Sequence, residues 1–208
     1  DIGGFVPNAF IQITPENIIR FYCPRDEMGQ GVTTGLGTLI AEELDVLPAA
    51  LDVVFAGVHG DYSNPEFGIQ GTGGSTSLKA HYQQLRQAAA NTRAVLVEAA
   101  AKDLGVSADS LTTIDRHIVS SGTQHPYGKF IATAAMLEAP SEAPMKNEKD
   151  FVYIGKEFPR IDAIAKATGT AVYGIDVDVP GMHHAVVRRS PVPGAKLLSV
   201  DTSAAKKM

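Results

Sequence analysis

The chain has 208 residues, a formal net charge of −5, and 44% hydrophobic against 20% charged residues. That balance belongs to a folded globular protein with room for a sizeable core and excludes a disordered chain. An acidic balance without a basic stripe points away from nucleic acid as a partner, and no apolar run approaches the roughly 18 residues that span a bilayer.

Phe10-Ile11-Gln12-Ile13-Thr14 alternates apolar and polar residues, Pro15-Glu16-Asn17 reads as a turn, and Ile18 to Cys23 resumes with β-branched and aromatic residues. Residues 10–23 are therefore expected as a β-hairpin. Cys23 ends it as a buried, inert thiol, and as the only cysteine it excludes an internal disulfide or a thiolate-held metal centre built from this chain alone. A glycine-rich turn follows, Glu27-Met28-Gly29-Gln30-Gly31. It leads into a helix over 32–44, where Val32, Leu36, Leu39, Ile40 and Leu44 share one face and Gly35 and Gly37 let a neighbour approach. Leu51 to Ala56 reads as a strand.

From Gly57 to Gly74 turn formers dominate, so a long loop is expected, and loops of that length in compact domains often carry function. It ends in a second glycine turn, Gln70-Gly71-Thr72-Gly73-Gly74-Ser75-Thr76-Ser77. This turn opens the longest helix, 75–104, in which Leu78, Tyr82, Leu85, Ala89, Thr92, Leu96 and Ala99 recur at helical spacing and Gly105 is placed to stop it. Residues 111–114 and 117–120 form a second expected hairpin, 127–137 a short helix, and 140–149, with Pro140 and Pro144, a linker. Beyond the linker, Thr168 to Val177, His183 to Arg188 and Lys196 to Val200 read as strands around a Pro180-Gly181 turn, and a helix begins at Thr202. The expected class is α+β, with helices packed on a mixed or antiparallel sheet over 1–145, and with 151–208 beginning a second domain that is cut off, which makes the chain a fragment.

Both glycine turns feed helix N-termini, whose unpaired N–H groups and positive dipole end favour anions, while glycine removes the Cβ atoms that would hold a ligand away. Two such turns suggest a ligand large enough to touch both, of dinucleotide type. The histidines, His59, His81, His117, His125, His183 and His184, lack a metal-ligand spacing and read as surface or packing residues, and no Gly-x-Ser-x-Gly or Walker-type motif occurs. Glu27 is expected to hydrogen-bond its own turn, and Asp61 and Glu66 to be solvated.

Glu27 to Val32 followed by Ala41-Glu42-Glu43-Leu44, the Gly71 to Ser77 turn with the alanine-rich helix behind it, and Thr168 to Val177 with Pro180 to Pro191 resemble the molybdopterin-binding subunit of the xanthine oxidase family of molybdenum hydroxylases. The last of these segments looks like the start of that family's α/β hammerhead domain. Here it follows the Gly-Gln-Gly turn, whereas in most members it precedes it. With the opening Phe5 to Phe10, this order is similar to the branch of isoquinoline 1-oxidoreductase and related aldehyde dehydrogenases. The resemblance implies a molybdenum cofactor in the molybdopterin cytosine dinucleotide form and oxidation of N-heteroaromatics or aldehydes. Its partners would be the rest of the large subunit and a small subunit carrying iron–sulfur clusters, with a periplasmic location as in that branch and otherwise a cytoplasmic one. It places cofactor contacts at Gly29, Gln30, Gly31, Gln70, Gly71, Gly73, Gly74, Ser75 and Thr76. The family's basic glutamate sits in a Gly-Glu-Pro type segment that these residues lack, so no catalytic residue and no metal ligand are expected here and the chain alone should be inactive. Two other readings stand beside this one: a non-redox nucleotide- or phosphate-binding module, and glycines that serve only close helix–sheet packing.

Overall fold

The computed structural model describes residues 3–208. Strands β1 (Phe5–Asn8), β2 (Ile11–Ile13), β3 (Ile19–Cys23) and β4 (Leu51–Phe55) form one sheet in that order. The first three are antiparallel neighbours, whereas β3 and β4 run parallel, with Ile19 opposite Leu51 and Cys23 opposite Phe55. A parallel pair needs a crossover, and helix α1 (Val32–Leu44) supplies it. The sheet is therefore mixed, and the class is α+β as expected.

Helix α1 buries Val32, Leu36, Leu39, Ile40 and Leu44, the face that its periodicity marks. Helix α2 (Ser77–Leu104) crosses it, and the Leu78 side chain lies 3.3 Å from where a Cβ on Gly35 would stand, which is why that position has none. The α2 stripe is buried at Leu85, Ala89, Thr92, Leu96 and Ala99, but Leu78 is exposed and Tyr82 half-buried. Gly105 ends α2 in the left-handed conformation, φ 68°, where glycine carries no Cβ penalty. A second sheet, β5 (Thr112–Ile114), β6 (His117–Ser120) and β7 (Thr123–Pro126), is antiparallel. Of the helix expected over 127–137 only a turn at 127–129 and α3 (Ile131–Ala134) form, while Tyr127 is buried with its hydroxyl donating to the Leu44 carbonyl oxygen.

The expected linker is instead an ordered strap. Buried Glu43 accepts the Lys146 N–H and two guanidinium bonds from Arg86, at 2.7 and 3.0 Å, and Arg86 also donates to the Lys146 carbonyl oxygen at 2.6 Å. Next to it, buried Glu42 accepts the N–H groups of Val152, Tyr153 and Ile154 at 2.7–3.1 Å. Two carboxylates in the last turn of α1 thus hold the chain against α1 and α2. Residues 151–171 accordingly belong with the first compact unit, which spans Asp1–Ala171. Helix α4 (Ala163–Ala167) lies in this stretch.

The second unit is Val172–Met208. Its described residues contain no strand, only helical turns at Gly174–Asp176 and Ala205–Lys207, and Ile175, Val186, Leu197 and Leu198 are exposed. The strands and the final helix expected here do not form: a strand is stable only when its N–H and C=O groups are paired by a neighbour, and no described segment pairs with these.

Candidate functional site

The parallel pairing of β3 and β4 decides where the two glycine turns meet. Both strands end at the same edge, Cys23 beside Phe55, so residues 24–31 and the loop 56–76 leave the sheet side by side. The carboxyl ends of parallel strands are where open α/β sheets gather ligands, because the turns there lead into helix N-termini. A direct bond joins the turns: the Asp26 N–H donates to Thr72 Oγ1 at 2.9 Å. Between them lies a cleft of about 250 Å³ whose lining includes Arg25, Asp26, Gln70, Gly71 and Thr72.

The first turn is internally satisfied. Glu27 Oε1 accepts the N–H groups of Gly29 and Gly31, both at 2.8 Å, and Oε2 accepts the Thr33 N–H and hydroxyl at 3.2 and 3.0 Å. Burial pushes the Glu27 carboxyl pKa up, but the bonds from Gly31, Thr33 and Gly29 outweigh it and hold the group below the usual range. The expectation that Gly29 and Gly31 offer free N–H groups is therefore corrected, because an anion from the chain itself already sits at this helix end. The Gln30 amide is folded back as well, accepting from Met28 N at 2.6 Å and donating to the Asp26 carbonyl oxygen at 2.9 Å. One N–H and one lone pair of that exposed amide remain for a ligand. Gly29 and Gly31 adopt φ of 100° and 83°, a region that side chains rarely enter.

The second turn is the opposite case. Gly71, Gly73, Gly74 and Ser75 are exposed, and none of their N–H groups donates to another described residue. A Cβ added at Gly71 or Gly73 would meet open space, whereas one at Gly74, where φ is 64°, would stand 3.2 Å from the Phe67 ring. Thr76 is buried and braces the turn: its hydroxyl donates to the Gly73 carbonyl oxygen at 3.0 Å and accepts from Asn64 Nδ2 at 2.7 Å. Asn64, also wholly buried, accepts the N–H groups of Phe67 and Gly68 on its carbonyl oxygen and so ties the long loop to the start of α2. Gln70 spans that loop, accepting the His59 N–H at 3.1 Å and donating to the Gly57 carbonyl oxygen at 2.9 Å.

Other groups fall where they were expected. Cys23 is buried, and burial raises its thiol pKa to about 11, which keeps it protonated and unreactive. Asp61 and Glu66 are exposed, Glu66 pairing with Lys79 at 3.0 Å. His81 is a packing residue with no exposure. Among the described residues no group of three or more His, Cys, Asp or Glu side chains could hold a metal ion, and no helix is long and apolar enough to cross a membrane.

Sequence patterning does not single out Arg25. It is 2% exposed, and its Nη1 donates to the carbonyl oxygens of Pro24 and Tyr62 at 2.6 and 3.0 Å, while Nε and Nη2 are buried without a partner among the described residues. Arg160 was missed too. It donates to the Gly29 carbonyl oxygen at 2.8 Å and lines, with Gly31, Gly35, Leu78 and Tyr82, a second groove of about 840 Å³. Arg160 is matched by acid: Asp162 at 2.7 Å takes its charge, and that hydrogen bond, with Lys166 adding to it, holds the Asp162 pKa down at about 2.

A model of the molybdopterin cofactor-binding domain matches residues 4–190. The chain belongs to that family, within the xanthine oxidase family of molybdenum enzymes. It is 32% identical over 99% of its length to a membrane-bound aldehyde dehydrogenase (pyrroloquinoline-quinone) of Gluconacetobacter polyoxogenes, of which it covers 27%. Over its whole length it is 32% identical to the beta subunit of isoquinoline 1-oxidoreductase of Brevundimonas diminuta, covering 31% of that protein. Over 93% of its length it is 30% identical to a nicotinate dehydrogenase subunit of Pseudomonas putida, covering 17%. The chain thus spans less than a third of each of these relatives.

The residues present fit a phosphate-bearing pterin cofactor. The N–H groups of residues 73–75 donate to no described residue, a Cβ at Gly73 would meet open space, and Arg25 keeps two donor nitrogens without an acceptor. Each of these features is suited to an anion.

Proposed function

We propose that this chain supplies part of the cofactor site of a molybdenum-dependent oxidoreductase acting on N-heteroaromatics or aldehydes, with the cofactor in the molybdopterin cytosine dinucleotide form. The observation that carries the reading is the convergence of both glycine turns at the carboxyl ends of β3 and β4, with the second turn's N–H groups open. In this reading Gly71, Gly73, Gly74 and Ser75 receive a phosphate-bearing part of the cofactor. Thr76 fixes the turn's shape, Gln70 holds the loop, and Gln30, on the turn formed by Gly29 and Gly31, offers its remaining amide valences to the pterin. When bound, such a cofactor supplies the redox chemistry, and the protein supplies position and electrostatics. The catalytic base, the substrate pocket and the iron–sulfur subunit that takes the electrons belong to other parts of the assembly. Residues 151–208 lead into the α/β hammerhead domain, and a periplasmic home is the one suggested by the similar branch.

The test is metal analysis and pterin fluorescence on the purified full-length protein. Molybdenum and pterin in equal amounts support the reading. Their absence, with a bound nucleotide in their place, favours a non-redox binding module. A quinone without molybdenum moves this chain towards the cofactor that the aldehyde dehydrogenase relative's name carries.

A further inference from the structure

Arg25 is one of the largest fully buried side chains among the described residues, yet only two of its five N–H donors are used. Nη1 serves two carbonyl oxygens, of Pro24 and of Tyr62. No described carboxylate lies within hydrogen-bonding reach of Nε or Nη2. Asp26, next in the chain, acts on it only through space, and burial pushes the guanidinium pKa down. A buried cation left with unpaired donors is costly, and such groups in folded proteins answer to a ligand, an ion or an ordered water. The pattern of what is free narrows the choice. Nε and Nη2 are neighbours on one edge of the guanidinium plane, and that edge matches two oxygens of a single phosphate or carboxylate side by side. Arg25 also lines the cleft between the turns, in the company of Asp26, Gln70, Gly71 and Thr72, where Asp26 and Thr72 lock the two loops together.

We propose that Arg25 is a cofactor-anchoring residue, whose free Nε–Nη2 edge pairs with a phosphate group of the bound molybdopterin cofactor at the cleft between the two turns. This rests on the molybdopterin-binding reading above. It adds a charged, bidentate partner to a turn that otherwise presents only backbone N–H groups, and it explains why a guanidinium is buried at the end of β3 without an acid beside it. Nη1, held by Pro24 and Tyr62, keeps the edge in place before the ligand arrives, so the cost of ordering a long side chain is met during folding.

The test uses the full-length enzyme and two variants, Arg25→Lys and Arg25→Met, each checked for folding by circular dichroism and thermal midpoint. Molybdenum and pterin retained after dialysis are measured for each. The lysine would keep a charge able to reach one carbonyl oxygen but cannot fork. The expected result is a midpoint for the cofactor-free Arg25→Lys protein within a few degrees of wild type, with cofactor lost at least tenfold faster, and a larger loss for Arg25→Met. Retention at the wild-type rate in folded Arg25→Lys overturns the proposal, and does so even where Arg25→Met fails to fold. An ordered water as the sole partner of Nε and Nη2 in a crystal structure of the cofactor-loaded enzyme overturns it equally. Wild-type enzyme lacking both molybdenum and pterin is a different failure, that of the molybdopterin reading itself.

Discussion

Glu27 Oε1 accepts the N–H of Gly31 at 2.8 Å, so the helix end that looks most like an anion cradle carries its own carboxylate. Because three further bonds, from Gly29 N, Thr33 N and the Thr33 hydroxyl, stabilise the ionised form, the folded pKa lies below the ordinary 4.5. A depressed carboxyl contributes its full stability above the unfolded value and loses it as pH falls through the folded one. Glu27→Gln is expected to cost about 1–2 kcal/mol at neutral pH, as the loss of a charged cap does. The gap to wild type should narrow as the pH falls below the ordinary carboxyl value of 4.5 and through the lower folded one, where the native carboxylate also takes up its proton. Urea denaturation of both proteins across that range measures it, and a pH-independent gap would count against the carboxylate's role.

Glu42 makes the comparable arrangement inside the fold. Burial raises its pKa, but the N–H groups of Val152, Ile154 and Tyr153, with the Lys146 ammonium, reverse the shift and keep it ionised. Glu42→Ala leaves three N–H groups without their acceptor and takes one of two carboxylates from the Lys146 ammonium, which keeps Asp45, and a loss of about 3–5 kcal/mol is expected. Glu42→Gln, which keeps an acceptor oxygen, should lose less. Amide hydrogen exchange at residues 152–154 should accelerate in both variants ahead of the core strands. If those amides stay as protected as in wild type, the strap is held by something other than Glu42.

The elements that follow from local pattern were legible in the sequence. The α1 face, the turn between β2 and β3, and the left-handed stop at Gly105 all rest on spacing and residue type within a few positions. What was not legible rests on partners distant in the chain. Gln12 occupies the polar place in an alternating strand and is nonetheless buried, with the Tyr22 hydroxyl donating to it at 2.8 Å. Glu42 and Glu43 sit in a helix as ordinary charges until the strap, about a hundred residues later, gives them donors. The site divides in the same way. Glycine turns can be read directly, whereas the unpaired edge of Arg25 exists only because the parallel strands and the Tyr62 loop enclose it. Strand-like composition in 168–200 shows the converse, since propensity without a neighbour to pair with yields no strand.

The second turn offers the sharpest comparison of ligand and packing roles, because its glycines differ in what surrounds them. A Cβ at Gly73 meets nothing within 4 Å, while one at Gly74 meets Phe67 at 3.2 Å and needs a residue at φ 64°. Gly74→Val should therefore destabilise the fold and remove the cofactor together. Gly73→Ala should leave the cofactor-free protein as stable as wild type and still lower its molybdenum and pterin content, since only a bound ligand occupies that space. Gln30→Ala removes two turn bonds, at about 0.5–1.5 kcal/mol each, and should reduce cofactor content moderately. Lys102→Ala, on the exposed face of α2, serves as the unaffected control. Metal analysis, pterin fluorescence and thermal midpoints on the four purified full-length variants separate these outcomes. Full cofactor content in Gly73→Ala and Gly74→Val alike would remove the second turn from the site.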